Sequence, residues 1–259
     1  MKENVERFDI CIVGASIAGN FLGYLLSNSN LRIAIIEEHD AIGLPFQCAG
    51  IVSQKLAKLI KLDDSLVLNR VKVARLVAPS GKTITLSGNE EPYIIDRIAL
   101  DRWFYDKIKE NPNIKYFLEE KFQKFEYSTE NSSKIVLITT SKRKLKAKIL
   151  VGCDGPLSSV AHSLKIRNRV LYATQIRIKA NFSKNEALMY FNKRWKELFG
   201  WVVPEGDNQI YRVGLACSKN VNKNFKKFLK LINVNIDDKI DQQGGLIPYG
   251  KLNKMAFSN

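Results

Sequence analysis

Gly14, Ala15, Ser16, Ala18 and Gly19 have the types and spacing of a turn whose backbone N–H groups approach a pyrophosphate, and Glu37 follows Gly14 by 23 positions. Gly14 permits the tight turn, and Gly19 with Gly23 lets the following helix pack closely on a sheet. The carboxylate of Glu37 is placed to accept hydrogen bonds from the adenosine ribose hydroxyls. It would repel a 2′-phosphate, which favours FAD or NAD over NADP. Ser16 stands where the second glycine of the strict pattern usually does, and is small enough to be tolerated.

The elements that must hold these residues are legible around them. An apolar run of strand length reaches Gly14, a helical pattern begins at Ile17, and a second β-branched run, 32–36, ends on Glu37. This is a βαβ unit. The alternatives are an ordinary parallel-sheet start with a tight turn, or a membrane span, because residues 10–31 carry no charge. Three glycines, Asn20, Asn28, and Asp9 and Arg32 at the edges argue against a lipid-facing helix.

A chain of 259 residues with 45% hydrophobic and 26% charged content is a folded protein with one large domain or two modest ones. The first apolar stretch follows Glu3, Glu6 and Asp9, unlike a secretory leader. Cys11, Cys48, Cys153 and Cys217 are far apart, which predicts a reducing cytoplasmic setting with neither a disulfide framework nor a metal site. The net charge of +15 predicts attraction to polyanions such as anionic lipid headgroups or phosphorylated substrates. The basic run 141–148 reads as a charged surface or edge strand. Nucleic acid is set aside for want of zinc-finger or RNP-like motifs.

Along the chain, glycine and proline at 43–50 mark a loop pinned close to something, and Ser53 caps a helix over 54–61. A hairpin over 71–86 turns at Pro79 and Gly81. A helix follows over 99–109, with Asp101 in its first turn. Strands at 114–117, 122–127, 135–140 and 147–151 lead into Cys153, Asp154, Gly155 and Pro156, a glycine turn opening a short helix. From Leu171 long β-runs take over, followed by a basic helix at 222–232. This predicts a first domain over 1–166 and an antiparallel sheet with a helix against it over 167–259.

The order of Gly14 to Gly19 with Glu37, Arg97 with Asp101, and Cys153 to Pro156 resembles the flavin-dependent oxidoreductases of the aromatic-hydroxylase and geranylgeranyl-reductase superfamily. Within it, Gln47-Cys48-Ala49-Gly50, the stretch from Arg97 to Asp101, and Gly200 to Pro204 look most like the archaeal-type digeranylgeranylglycerophospholipid reductases. The resemblance covers essentially the whole chain. It implies an α/β fold with a Rossmann-like FAD-binding domain and an antiparallel-sheet substrate domain. By position it implies that Ser16, Ile17, Ala18 and Gly19 meet the FAD pyrophosphate and Glu37 the ribose. Cys48, Ala49 and Ile51 would lie beside the flavin or ribityl chain, and Arg97 would reach the cofactor. Backbone near Phe122 would touch the adenine, Asp154 and Gly155 the ribityl and pyrophosphate, and the segment from Trp201 to Pro204 would line an isoprenoid pocket. Phe199 and Val203 depart from the tyrosine and phenylalanine common there. Relatives also continue past the position of Asn259 into a Gly-Asp motif and a helical part.

The implied reaction saturates double bonds of geranylgeranyl chains, on lipid or prenyl diphosphate, with electrons from NAD(P)H or a ferredoxin-like donor. Cys48 is the candidate for shaping or protonating the reacting site. Peripheral contact with anionic membrane would use the basic surface. The rivals are a flavin monooxygenase that hydroxylates or epoxidises, and an inactive flavoprotein fragment. A halogenase is disfavoured because Phe199 replaces the first tryptophan of that family's Trp-x-Trp pair.

Overall fold

The computed structural model describes residues 5–130, 132–206, 208–251 and 255–257. The sequence's last stretch therefore lies partly outside the described residues. The elements run β1 (Glu6–Val13), α1 (Ile17–Leu26), β2 (Ile33–Ile36), β3 (Ile51–Val52), α2 (Gln54–Ile60), β4 (Val67–Arg70), β5 (Val73–Val77), β6 (Thr83–Ser87) and β7 (Tyr93–Ile95). Next come α3 (Arg97–Ile108), β8 (Ile114–Phe117), β9 (Phe122–Glu130), β10 (Ser133–Thr140), β11 (Lys144–Gly152) and α4 (Ser159–Ser163). The remainder is β12 (Arg169–Lys179), β13 (Glu186–Tyr190), β14 (Gly200–Pro204), β15 (Ile210–Cys217), α5 (Val221–Leu231) and β16 (Lys239–Tyr249).

The chain divides into two compact units. The first comprises Met1–Pro45, Ile98–Asn168 and Gly250–Asn259, the second Phe46–Arg97 and Arg169–Tyr249. A single boundary at 166/167 thus captures the start of β12 but misassigns residues 46–97. The reason is pairing: β5 lies parallel to β13 and carries β6 on its far side, so this early hairpin completes the later sheet.

The first unit is built on a six-stranded sheet in the order β8-β2-β1-β11-β10-β9. β8, β2, β1 and β11 are parallel, and β10 and β9 extend them antiparallel. β2 and the second half of β1, residues 10–13, are buried on both faces, which is why these stretches are continuous apolar runs. Cys11 sits in this core with its thiol pushed up to about 12 by burial, the behaviour of a small core residue.

The basic run lies in β11, which is an interior strand between β1 and β10, not an edge. Period-two alternation explains it: Leu145 and Ala147 enter the core, while Lys146 and Lys148 meet Glu130 and Asp9 on the other face.

The second unit's main sheet runs β16-β12-β15-β14-β13-β5-β6, antiparallel except at β13–β5. A small sheet, β3-β7-β4, belongs to the same unit. One face of the main sheet packs Ile176, Val202, Val213 and Leu215 with Phe225 and Phe228 of α5. The other packs Val71, Ala187, Trp201, Val203 and Ala216. No helix among the described residues is long and apolar enough to cross a membrane.

Candidate functional site

The turn between β1 and α1 is assembled from two directions. Gly14 has φ +98°, and a Cβ there would lie 2.4 Å from the carbonyl oxygen of Cys153. The Cys153 N–H donates to the Val13 carbonyl at 2.7 Å, so the Gly14 and Asp154–Gly155 corners meet at the ends of neighbouring parallel strands. A Cβ on Gly19 would fall 1.8 Å from the Gly14 carbonyl oxygen, which fixes glycine where α1 crosses its own entrance.

A short network holds that turn. The buried Asn20 donates to the Ala15 carbonyl at 2.6 Å and to the Asp101 carbonyl at 3.3 Å, and accepts from the Tyr116 hydroxyl at 2.8 Å. Burial raises the Tyr116 phenol, which keeps it a donor. The Ser16 hydroxyl donates to the Asp101 carboxylate at 2.8 Å. Asp101 is thus a support of the turn, a role that its position in α3 did not announce.

These residues fit a dinucleotide. Ser16 and Ala18 are exposed, Ile17 is half-buried, and α1 has no acidic residue in its first turn. First-turn N–H groups have no partners within a helix and attract an anion. Glu37 Oε2 accepts from the Ala15 N–H at 2.7 Å, which sets the carboxylate beside the turn, and Oε1 lies 2.6 Å from His39 Nδ1.

Asp154 Oδ1 accepts from the Ser158 hydroxyl at 2.5 Å and Oδ2 from the Val160 N–H at 3.1 Å, so this side chain shapes its own loop. Gly155 has φ +76° and open space where a Cβ would be, which leaves its backbone accessible. Phe122 starts β9 with its ring in the core, leaving only its backbone for a ligand.

The second unit holds a cavity of about 580 Å³, a size normal for small-molecule sites. Its wall includes Cys48 and Ala49 from the loop after Gln47, Ile51 of β3, Phe199, Trp201 and Val203 from β14 and its approach, and Gly244 to Ile247 of β16. The Phe199 ring lies 5.7 Å from that of Phe191, tilted by 59°. Pro204 is not among the lining residues. It shares the strand parity of Val202, which faces α5, so alternation removes it from the expected lining.

Cys48 Sγ accepts from the Gly50 N–H at 3.3 Å and lies 3.5 Å from Nη1 of Arg97, the first residue of α3. Three further residues shape this wall. Gln175 bridges Trp201 and the Cys48 carbonyl, Arg212 reaches the Ala49 carbonyl, and Gly214 seats the Trp201 indole, which a Cβ would meet at 2.3 Å. Sequence reasoning missed all three. The available signal was an arginine and a glycine inside the otherwise apolar β15, and a glutamine midway along the more mixed β12.

The profile of the family described as FAD binding domain matches residues 7–228. An uncharacterized protein of Methanocaldococcus jannaschii is 27% identical over 240 residues, covering 90% of this chain and 59% of its own length. The digeranylgeranylglycerophospholipid reductase of Methanococcus aeolicus is 26% identical over 231 residues, covering 85% of this chain and 58% of its own. A solved structure, a geranylgeranyl bacteriochlorophyll reductase-like protein from Thermoplasma acidophilum, shares the fold with TM-score 0.81 at 21% identity, over 95% of this chain and 67% of that one. The chain spans about three-fifths of the length of these two curated relatives.

Proposed function

The chain belongs to the FAD binding domain family, and from that premise we propose that it serves FAD-dependent saturation of double bonds in geranylgeranyl chains of isoprenoid ether lipids. The observation that carries the reading is the apolar cavity with the Cys48 loop in its wall, in a chain whose other unit joins two glycine corners. The names of curated relatives such as the Methanococcus aeolicus reductase support the prenyl substrate.

In this reading the backbone of residues 16–19 holds the pyrophosphate, Glu37 the ribose, and backbone near Phe122 the adenine. The open backbone of Gly155, its loop braced by Asp154, flanks the ribityl chain, and Ala49, Ile51 and Arg97 meet the flavin end. Bound FAD, once reduced, supplies the hydride. The chain's own work is to exclude water with Leu188, Phe199, Trp201 and Val203, to orient the alkene, and to hold a proton at Cys48 Sγ for the second carbon. Lys72, exposed and part of the cavity lining, offers a cation to a headgroup phosphate. The external reductant is NAD(P)H or a ferredoxin-like protein. Peripheral contact with an anionic bilayer would use Lys223, Lys226, Lys227 and Lys230, which are exposed along one face of α5.

Anaerobic turnover of a geranylgeranyl lipid with FAD and dithionite tests this. Saturated product is expected. Oxygen-dependent donor oxidation with hydroxylated or epoxidised product would instead establish a monooxygenase, and absence of flavin bands after FAD addition an inactive fragment.

A further inference from the structure

We propose that Gln175 and Arg212 are positioning residues that fix the Cys48 thiol at the cavity wall by catching two consecutive loop carbonyls. Gln175, on β12, donates from Nε2 to the Cys48 carbonyl at 3.2 Å. The same nitrogen reaches Gln243 Oε1 at 3.2 Å, and its oxygen accepts from the Trp201 indole N–H at 2.8 Å. Arg212, on the neighbouring strand β15, donates from Nη1 to the Ala49 carbonyl at 2.9 Å and to the Ile95 carbonyl at 3.4 Å. Its guanidinium also lies over the Phe46 ring at 5.2 Å.

Both side chains are almost fully buried, Gln175 at 5% and Arg212 at 2% exposure. Burying an amide and a guanidinium there carries a desolvation cost that only well-made hydrogen bonds offset. Glu205, itself held by Arg177 at 2.7 and 2.9 Å, lies 3.5 Å from Arg212 Nη2 and anchors it from behind. Gly50 completes the clamp: a Cβ there would sit 2.0 Å from Arg212 Nη1, so the loop can rest on the guanidinium only as glycine. With both carbonyls fixed, the Gly50 N–H is aimed at Cys48 Sγ.

The assignment rests on the proposed function for its link to catalysis, but not for its test. The full chain, incubated with FAD, is labelled with iodoacetamide and the rate at each cysteine is read by peptide mass spectrometry. Gln175→Leu and Arg212→Met should each raise the rate at Cys48 about tenfold, the effect of losing one loop-anchoring hydrogen bond. Labelling at Cys153, in the other unit, should stay unchanged, and Arg212→Lys should restore most of the protection. Unchanged Cys48 labelling in both variants would overturn the proposal, as would parallel increases at Cys48 and Cys153. Failure of the unaltered chain to bind FAD would overturn the proposed function and leave the labelling comparison standing.

Discussion

The two units solve different problems with different materials. The first presents backbone: glycine corners, a helix start and one carboxylate, all within a turn or two of the sheet's parallel strands. The second presents side chains drawn from the loop after Gln47 and from strands far apart in sequence. The corner at Gly14 and Gly19 has no room for an added atom and Gly155 holds a positive φ that side chains rarely adopt, whereas side-chain sites depend on several partial contacts. The first should therefore fail abruptly on substitution and the second by degrees.

Gly14→Val should give the largest effect, because the new side chain meets the Cys153 carbonyl and the residue keeps φ +98°. A loss of about 3 kcal/mol is expected, with no FAD binding, measured by urea denaturation and flavin titration. Gly214→Ala should cost about 2 kcal/mol by pushing the Trp201 indole from its seat, read as a shift in tryptophan emission and weaker binding of an apolar ligand. FAD affinity should be unaffected. A loss of FAD affinity as large as that of Gly14→Val would erase the contrast between the units.

Smaller effects sharpen it. Glu37→Gln should weaken FAD about tenfold with little change in urea midpoint. Asp9 tests the first unit away from its site. A hydrogen bond from Lys148, with the Arg32 N–H, holds its carboxyl below the usual range. That stabilisation is present above pH of about 4 and fades as pH falls through the lower folded value. Asp9→Asn should therefore flatten the acid limb of the stability curve by about 0.5 kcal/mol, seen by comparing urea midpoints in neutral and acid buffer.

The difference between units also explains what could be read from residues alone. The turns of the first unit were legible because each is a local signal: glycine before a helix, an acid closing the next strand, a glycine turn after Val151. The hairpin and the basic helix were legible for the same reason. The boundary was not, because the partner of β5 lies more than a hundred residues on, in β13. The interior place of β11 was hidden by its lysines, since one solvated face outweighs Leu145 and Ala147 in any count of charge. The roles of Asp101, Gln175, Arg212 and Gly214 were hidden for a different reason: Asp101 stood out only as part of a motif and the other three only as polar or small residues in strands, because their partners, Ser16, Cys48, Ala49 and Trp201, are set by tertiary packing and leave no spacing in the sequence.

The central claim is that the corners at Gly14 and Gly155 grip one dinucleotide while the second unit supplies the oily chamber. Equilibrium titration of FAD into the unaltered chain, Gly14→Val, Gly155→Val and Gly214→Ala tests it most directly. One FAD per unaltered chain, severe loss in both corner variants and none in Gly214→Ala is the predicted pattern. Binding indifferent to either corner would contradict it.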